Sequence, residues 1–459
     1  MNVTEKLADF VAAVQYEDLP VEATDRAKLL ILDVLGVSIA GATSPIGRIA
    51  VRLGRETMDG TDATVIGTDY STWVSSAAFI NGTLAHALDI DDTAAGTIAH
   101  PSASIVPALF ALAEKYRLSG RQFLTAYVLG LEVFYRIALA SEGQMRGWHR
   151  TSIYGALAAT AAGAKLLNLP SEKILTAIGI ATSLTAGVQI NFGTMTKAVQ
   201  VGNASRSGLL AALLAREGCT AHRDALGDPL GFGFAFYSGR FNMEKIVANL
   251  GKPYSIIFPG VGLKIYPCCG LTHSPADIVL DLVETHDISA DQVEEVTVYA
   301  EELLPRVLVY HRPATGYEGK YSLEYVVTAA IMDRRITFET FTDTNVNRPK
   351  IQAYLGKIKC MTRPDTEWEP MRIHPWNHPA EVIIRFKNGT KCSGKAPCAR
   401  GYPDRPLTTG EILDKFRSCA GLMLPSKTIE ILSRMVLSLD TQTDVADIIA
   451  LTRCRKKDL

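Results

Sequence analysis

YGALAATAAGAKLLNL, residues 154–169, is built mostly from alanine and glycine. Alanine is the strongest helix former, and side chains this small let helix backbones approach closely. A second stretch, NASRSGLLAALLAREG (203–218), has the same character. Two such helices find partners in the middle of a large bundle, so the fold is read as mainly α.

Working outward, the helical pattern runs from about residue 4 to 220. Pro20 precedes VEATDRAKLLILDVLGVSIAG, where Leu29, Leu30, Val34 and Leu35 recur at helical spacing and Gly36 and Gly41 mark the exit. Pro101 opens PSASIVPALFALAEKYR, which ends in basic residues ahead of Gly120. The character changes after about residue 255. VEEVTVYA (293–300) alternates as a half-buried strand does, and AEVIIRFKNGTKCSG (380–394) predicts a hairpin about Asn388-Gly389. The helical SLEYVVTAAIMDRR lies between them, and a helical pattern returns over about 408–451. The expected organisation is a large all-helical domain, 1–255 with 405–459, and a smaller α+β domain, 256–404.

With 459 residues, more than one core is expected. Lys+Arg 47 against Asp+Glu 48 leaves a net charge of −1, which offers no basic surplus for nucleic acid. The eight cysteines form no dense framework and read as reduced thiols. MNVTEKLADF carries Glu5, Lys6 and Asp9 and no apolar signal core, so the expected setting is cytoplasmic, with the mitochondrion left open. Ile174 to Thr196 is uncharged and long enough to span a bilayer, but its Gly, Gln, Asn, Thr and Ser content favours a buried helix running into a loop. No membrane association is expected.

Chemistry concentrates in HALDIDDTAAGTIAHPSAS (86–104). Helical spacing would set Asp89 and Asp92 on one face and turn Asp91 away. Asp91 and Asp92 singly read as cap and loop residues. Asp89 paired with His100 is not explained by capping, and His100 stands just before a helix start where an anion is favoured. GWHRTSIYGA (147–156) sets His149 and Arg150 at another helix mouth. NFGTMTKAVQVGNASRSG (191–208) has glycines around Lys197, with Arg206 one turn into the following helix, and lacks the phosphate-loop pattern. LKIYPCCGLTHSP (263–275) offers Lys264, Tyr266 and His273, and GKYSLEYVV (319–327) offers Tyr321 and Tyr325, which as tyrosines in an apolar helix read first as core. No metal is expected, because neither HExxH spacing nor a second CxxC half is present. Cations, an acid, imidazoles and phenols together suit proton transfer on a small polyanionic carboxylate.

The motifs NGTLAHALDIDDT, HPSASIVPALFALAE, GWHRTSIYGA, NFGTMTK, GNASRSG, YPCCGLTH and YSLEYVV occur in the order seen in the MmgE/PrpD family. The resemblance spans about residues 5–450. It implies a large helical domain with a smaller α/β lid, a homodimer, and no organic cofactor or essential metal. By position, it implies catalytic Asp89, Thr93, His100 and Tyr325, with substrate held by His149 and Lys197; Lys264, His273 and Arg206 join the binding set. Tyr154, the Lys197-to-Gln200 run and Pro275 resemble the fungal decarboxylase pattern of the family, whereas Thr93 and His100-Pro101 depart from it. The function expected is a cofactor-independent lyase acting on a small tricarboxylate, with decarboxylation of cis-aconitate to itaconate read first. Dehydration of a 2-methylcitrate-type acid and epimerisation of an iminodisuccinate-type acid are the alternatives within the family. A protein that binds a di- or tricarboxylate metabolite without reaction is the alternative outside it.

Overall fold

The computed structural model describes residues 2–141, 147–238, 240–375 and 377–454. The chain is mainly α, about 58% helical. It divides into two compact units.

The first unit comprises Met1–Ile190, Thr196–Val261 and Thr408–Leu459. Its longer helices are α1 (Val3–Ala13), α2 (Val21–Gly41), α3 (Pro45–Thr57), α4 (Val74–His86), α5 (Ser102–Tyr116), α6 (Gly120–Ala140), α7 (Arg150–Leu166), α8 (Ser171–Leu184) and α9 (Thr196–Glu217). The C-terminal segment adds Thr409–Ala420 and Ser426–Leu437. Glycine lets the central helices meet backbone to backbone. A Cβ on Gly202 of α9 would stand 2.3 Å from the Phe79 carbonyl oxygen of α4. One on Gly208 would stand 2.6 Å from the Ala156 carbonyl oxygen of α7. Such contacts leave no room for a methyl group, and they hold the ends of α4, α7 and α9 close together.

The uncharged run from Ile174 is broken: α8 ends at Leu184, and the backbone turns through Gly187 at φ 136°. The next long helix begins at Thr196, seven residues before the stretch that suggested it. This puts Lys197 in the first turn and Arg206 well inside the helix, which corrects the expectation for Arg206. By length and composition α6 could cross a membrane, and 94% of its most apolar stretch is buried in the protein.

The second unit comprises Gly262–Leu407 with Asn191–Met195. Its four strands lie in the order Ile358–Arg363, Val293–Glu301, Ala380–Phe386, Lys391–Ala396. The first pair is parallel and the other two are antiparallel, the last closing as a hairpin through Gly389 at φ 84°. Val296, Val298, Val382 and Ile384 form a core with Ile278, Val279 and Leu282 of the helix His273–Thr285 and Val326, Val327 and Ile331 of Leu323–Asp333. The short piece 191–195 joins this unit because the Tyr310 hydroxyl donates to the Phe192 carbonyl at 2.9 Å and the Phe192 ring packs on Tyr321. Residues 256–261 stay with the first unit: the Val261 carbonyl accepts from Arg26 at 2.6 Å, and the Gly260 carbonyl accepts from the Tyr135 hydroxyl.

Candidate active site

Helix α4 stops at His86, and the backbone then passes Asp89 in the left-handed region at φ 57°. Aspartate tolerates that conformation better than most residues because its short side chain bonds locally. The helical spacing expected for the three acids therefore does not hold. Asp91, expected to face away, turns inward and accepts from His86 Nδ1 at 2.8 Å, with both side chains fully buried. Asp92 turns to the next helix, where its carboxylate accepts from the Ser102 backbone N–H at 3.2 Å and from the Ser102 hydroxyl. The start of α5, read as an anion site, is thus occupied by Asp92. Ser102 also bonds to the Tyr127 hydroxyl at 2.6 Å.

A tight reversal brings His100 back over this loop. Thr93 and Ala94 form a short buried strand, Thr97 N–H donates to the Ala94 carbonyl, and Ala94 bridges Ala99. His100 Nδ1 then lies 2.6 Å from the Asp92 carbonyl oxygen and 4.0 Å from Asp91 Oδ2. Its backbone N–H donates to Thr151 of α7 at 3.1 Å. A carbonyl only accepts, so His100 Nδ1 carries a hydrogen and Nε2 is the nitrogen that gains or loses a proton.

His149 is the N-cap of α7 and is buried, its Nδ1 2.7 Å from Gln200 Oε1 on α9. The three imidazoles cluster: His86 is 5.0 Å from His100 and 5.9 Å from His149 between ring centres. Lys197, three residues before Gln200 on the same helix face, sets its Nζ 3.2 Å from Asp89 Oδ2. His86, Asp89 and His100 could offer ligand atoms within 4.8 Å of one another. The Lys197 ammonium already stands at the carboxylate as the cation, so the trio is read as an ammonium site.

Burial governs the electrostatics. It holds the His86 imidazole below its ordinary range, with Asp91 acting against it and Lys197 with it. His149 is held well below the ordinary value by burial and then by Lys197 and His86. Asp92 is pushed up to about 7, mainly by burial and then by Asp91, against the Ser102 bonds. Burial thus favours the neutral form of His86 and His149 beside a buried ion pair.

The remaining candidates lie further along α9 and in the second unit. Arg206 lies nine residues after Lys197, about half a turn round the helix and roughly 13 Å along it. It is exposed, bonds to Asn203 and lies over the Phe79 ring, so it does not join the cluster. In the second unit, Lys264 and His273 are buried, and His273 meets Tyr266 edge-on at 5.0 Å. Tyr325 is buried, packs edge-on to Phe341 and donates its hydroxyl to the Thr340 carbonyl, as a core tyrosine does. Two partnerships escaped the sequence reading: His86 with Asp91, hidden by the assumption of a continuing helix, and Gln200 with His149. The signal for the second was the i, i+3 spacing from Lys197.

Residues 5–244 match the family model for the MmgE/PrpD N-terminal domain, and residues 266–441 match that for the C-terminal domain. The chain is 30% identical to the cis-aconitate decarboxylase of Homo sapiens, covering 96% of this chain and 93% of that protein. It is 27% identical to the cis-aconitate decarboxylase of Aspergillus terreus, covering 99% and 97%. The 2-methylcitrate dehydratase of Escherichia coli strain K12 is 26% identical, covering 78% of this chain and 77% of that protein.

Proposed function

The chain belongs to the MmgE/PrpD family, and from that premise we propose that it is a cofactor-independent lyase that decarboxylates cis-aconitate to itaconate. The observation that carries the reading is the buried ion pair of Lys197 and Asp89, with His100 and His149 in the same cluster. Near-full-length similarity to named decarboxylases supports it.

In the proposed reaction one carbon–carboxylate bond breaks and its electron pair passes into the neighbouring alkene and carboxylate. CO₂ departs, and one proton is delivered to carbon. The tricarboxylate plus a proton gives itaconate dianion and CO₂. Lys197 holds a substrate carboxylate and offsets the negative charge that develops. His100, with Nδ1 fixed on the Asp92 carbonyl, delivers the proton from Nε2. The proton is assigned to His100 rather than Tyr325 because the Tyr325 hydroxyl already donates to Thr340. Thr93 enters the proposal as a substrate-contacting residue. The same reading takes the second unit as the lid domain of the family, the working form as a homodimer, and the setting as cytoplasmic.

Purified protein is incubated with cis-aconitate, 2-methylcitrate and citrate, and CO₂ and alkene products are followed. Release of CO₂ with itaconate is expected. Dehydration of 2-methylcitrate alone would move the reading to the family's hydro-lyases, and deuterium uptake without net product would move it to an epimerase. Binding without turnover or exchange would sink the lyase reading in favour of a carboxylate-binding protein.

A further inference from the structure

We propose that Gln200 is a positioning residue that holds His149 in the tautomer with hydrogen on Nδ1, so that His149 meets the substrate as a neutral acceptor at Nε2. This rests on the reading of the cluster as an active site, but its structural half stands alone.

Gln200 Nε2 donates to the Val188 carbonyl at 3.0 Å. A carbonyl cannot donate, so the amide nitrogen must face Val188 and the amide oxygen must face the ring. That oxygen lies 2.7 Å from His149 Nδ1, and since an amide oxygen only accepts, the hydrogen is on Nδ1. In the neutral ring the lone pair is then on Nε2.

Both partners are pinned. The Ser152 hydroxyl donates to the Gln200 and Ala186 carbonyls, and the His149 backbone N–H donates to the Gly187 carbonyl at 3.0 Å. Gly187 lies at φ 136°, and a Cβ there would stand 3.0 Å from Ser152 and 3.3 Å from Gln200 Oε1. A side chain at 187 would disturb the loop that carries both acceptors.

The charged and titratable groups facing the ring come from three other elements. Lys197 stands on α9, His86 at the end of α4, and His100 on the loop before α5. None of these three is an anion and Gln200 adds none, while the nearby carboxylates of Asp89 and Asp91 are engaged by Lys197 and His86. Burial and Lys197 accordingly hold the ring neutral. A neutral ring with Nδ1–H engaged cannot donate to a carboxylate. His149 is thereby assigned as acceptor for a substrate O–H or carboxylic acid proton, or as base, in place of the carboxylate anchor that the resemblance suggests.

Nitrogen-15 NMR of the histidine-labelled protein, with His149→Asn used to assign the signal, reads the tautomer directly and needs no substrate. The expected spectrum shows a neutral ring with hydrogen on Nδ1 near pH 7. Hydrogen on Nε2, or an imidazolium, would overturn the proposal. Gln200→Leu removes the acceptor: the tautomers should mix, and kcat should fall about 10- to 100-fold with KM little changed. That is less than the roughly 10⁴-fold loss seen when a triad's orienting group imposes the wrong tautomer. Gln200→Glu keeps the acceptor and adds an anion. It should preserve Nδ1–H while moving the acid limb of kcat/KM upward by about one pH unit or more. An unmoved pH profile with Gln200→Glu, or full kcat with Gln200→Leu, would refute the positioning role. If none of the tested acids is turned over, the function reading fails, while the tautomer result still decides the inference.

Discussion

Lys197 Nζ stands 3.2 Å from Asp89 Oδ2, with both side chains more than nine-tenths buried. Each is the other's counter-charge, and the Asp89 backbone takes the left-handed conformation. Asparagine tolerates that conformation equally, so Asp89→Asn isolates the charge. It should cost on the order of 3–5 kcal/mol, because a buried ammonium is left uncompensated. Adding Lys197→Met should return part of that loss. Urea midpoints of the two single variants and the double variant check this, and strict additivity would show that the pair is not coupled.

In the proposed reaction, His100 transfers the proton and Lys197 anchors the substrate. With Nδ1 tied to the Asp92 carbonyl, His100 can move a proton only through Nε2. His100→Gln should lower kcat by roughly two to four orders of magnitude with little change in KM. Lys197→Met should chiefly raise KM, since a charge-assisted bond contributes about 1.5–3 kcal/mol, or about 10- to 150-fold. Loss of turnover in Lys197→Met with binding intact would assign the lysine to the developing charge instead. A melting temperature matched to wild type makes the His100→Gln kinetics readable; Lys197→Met, which removes the counter-charge of buried Asp89, is assayed well below its lowered melting temperature.

Asp92 makes a pH prediction on stability. Its folded carboxyl titrates near 7 and its unfolded one near the ordinary value, so between these limits the folded state binds more protons. Stability contributed by this group is therefore present at low pH and declines as pH rises from about 4 towards 7. In Asp92→Asn that decline should vanish. The stability difference between wild type and variant should shrink from pH 5 to pH 8, as read by denaturant midpoints at each pH. A difference constant with pH would mean that Asp92 is ionised throughout.

Gly202→Ala tests the packing that brings the cluster together. The added methyl would press on the Phe79 carbonyl and the Thr83 hydroxyl, and backbone must move to admit it. Overpacking of this kind costs roughly 1–3 kcal/mol. Because α4 carries His86 and α9 carries Lys197 and Gln200, kcat should fall along with the urea midpoint. A variant with wild-type stability would show that the two helices separate without cost.

The helical core was legible because its signal is compositional: Ala and Gly runs can do little but pack helix on helix. The site was legible as residue types and not as geometry. Asp91 and Asp92 were misplaced because nothing in HALDIDD announces that the helix stops at His86 and that Asp89 reverses its backbone. Arg206 was misassigned because the helix begins at Thr196, ahead of its alanine-rich part. Gln200 is visible only once Val188, on a loop without periodicity, fixes which way its amide faces.

The last prediction follows from a residue far down the chain. Lys415, on the helix Thr409–Ala420, donates to Asp33 of α2 at 2.7 Å and to the Ile90 carbonyl at 2.8 Å. Ile90 lies between Asp89 and Asp91, so the C-terminal segment reaches the Asp89–Asp91 loop through this ammonium. Burial pushes the Asp33 carboxyl up while Lys415 opposes it, so removing the lysine leaves the buried acid with only the weaker pull of Arg26 to offset its desolvation. Lys415→Met should destabilise the protein by roughly 3–5 kcal/mol near neutral pH, and the deficit should lessen as pH falls and Asp33 takes a proton. Asp33→Asn in the same chain should restore most of the stability, because the unpaired charge is gone. It should not restore kcat, since the Ile90 carbonyl still lacks its donor and the Asp89–Asp91 turn remains loose. Recovery of both quantities together in the double variant would show that Lys415 serves the fold alone. Recovery of stability without activity would place it among the groups that set the Asp89–Asp91 loop.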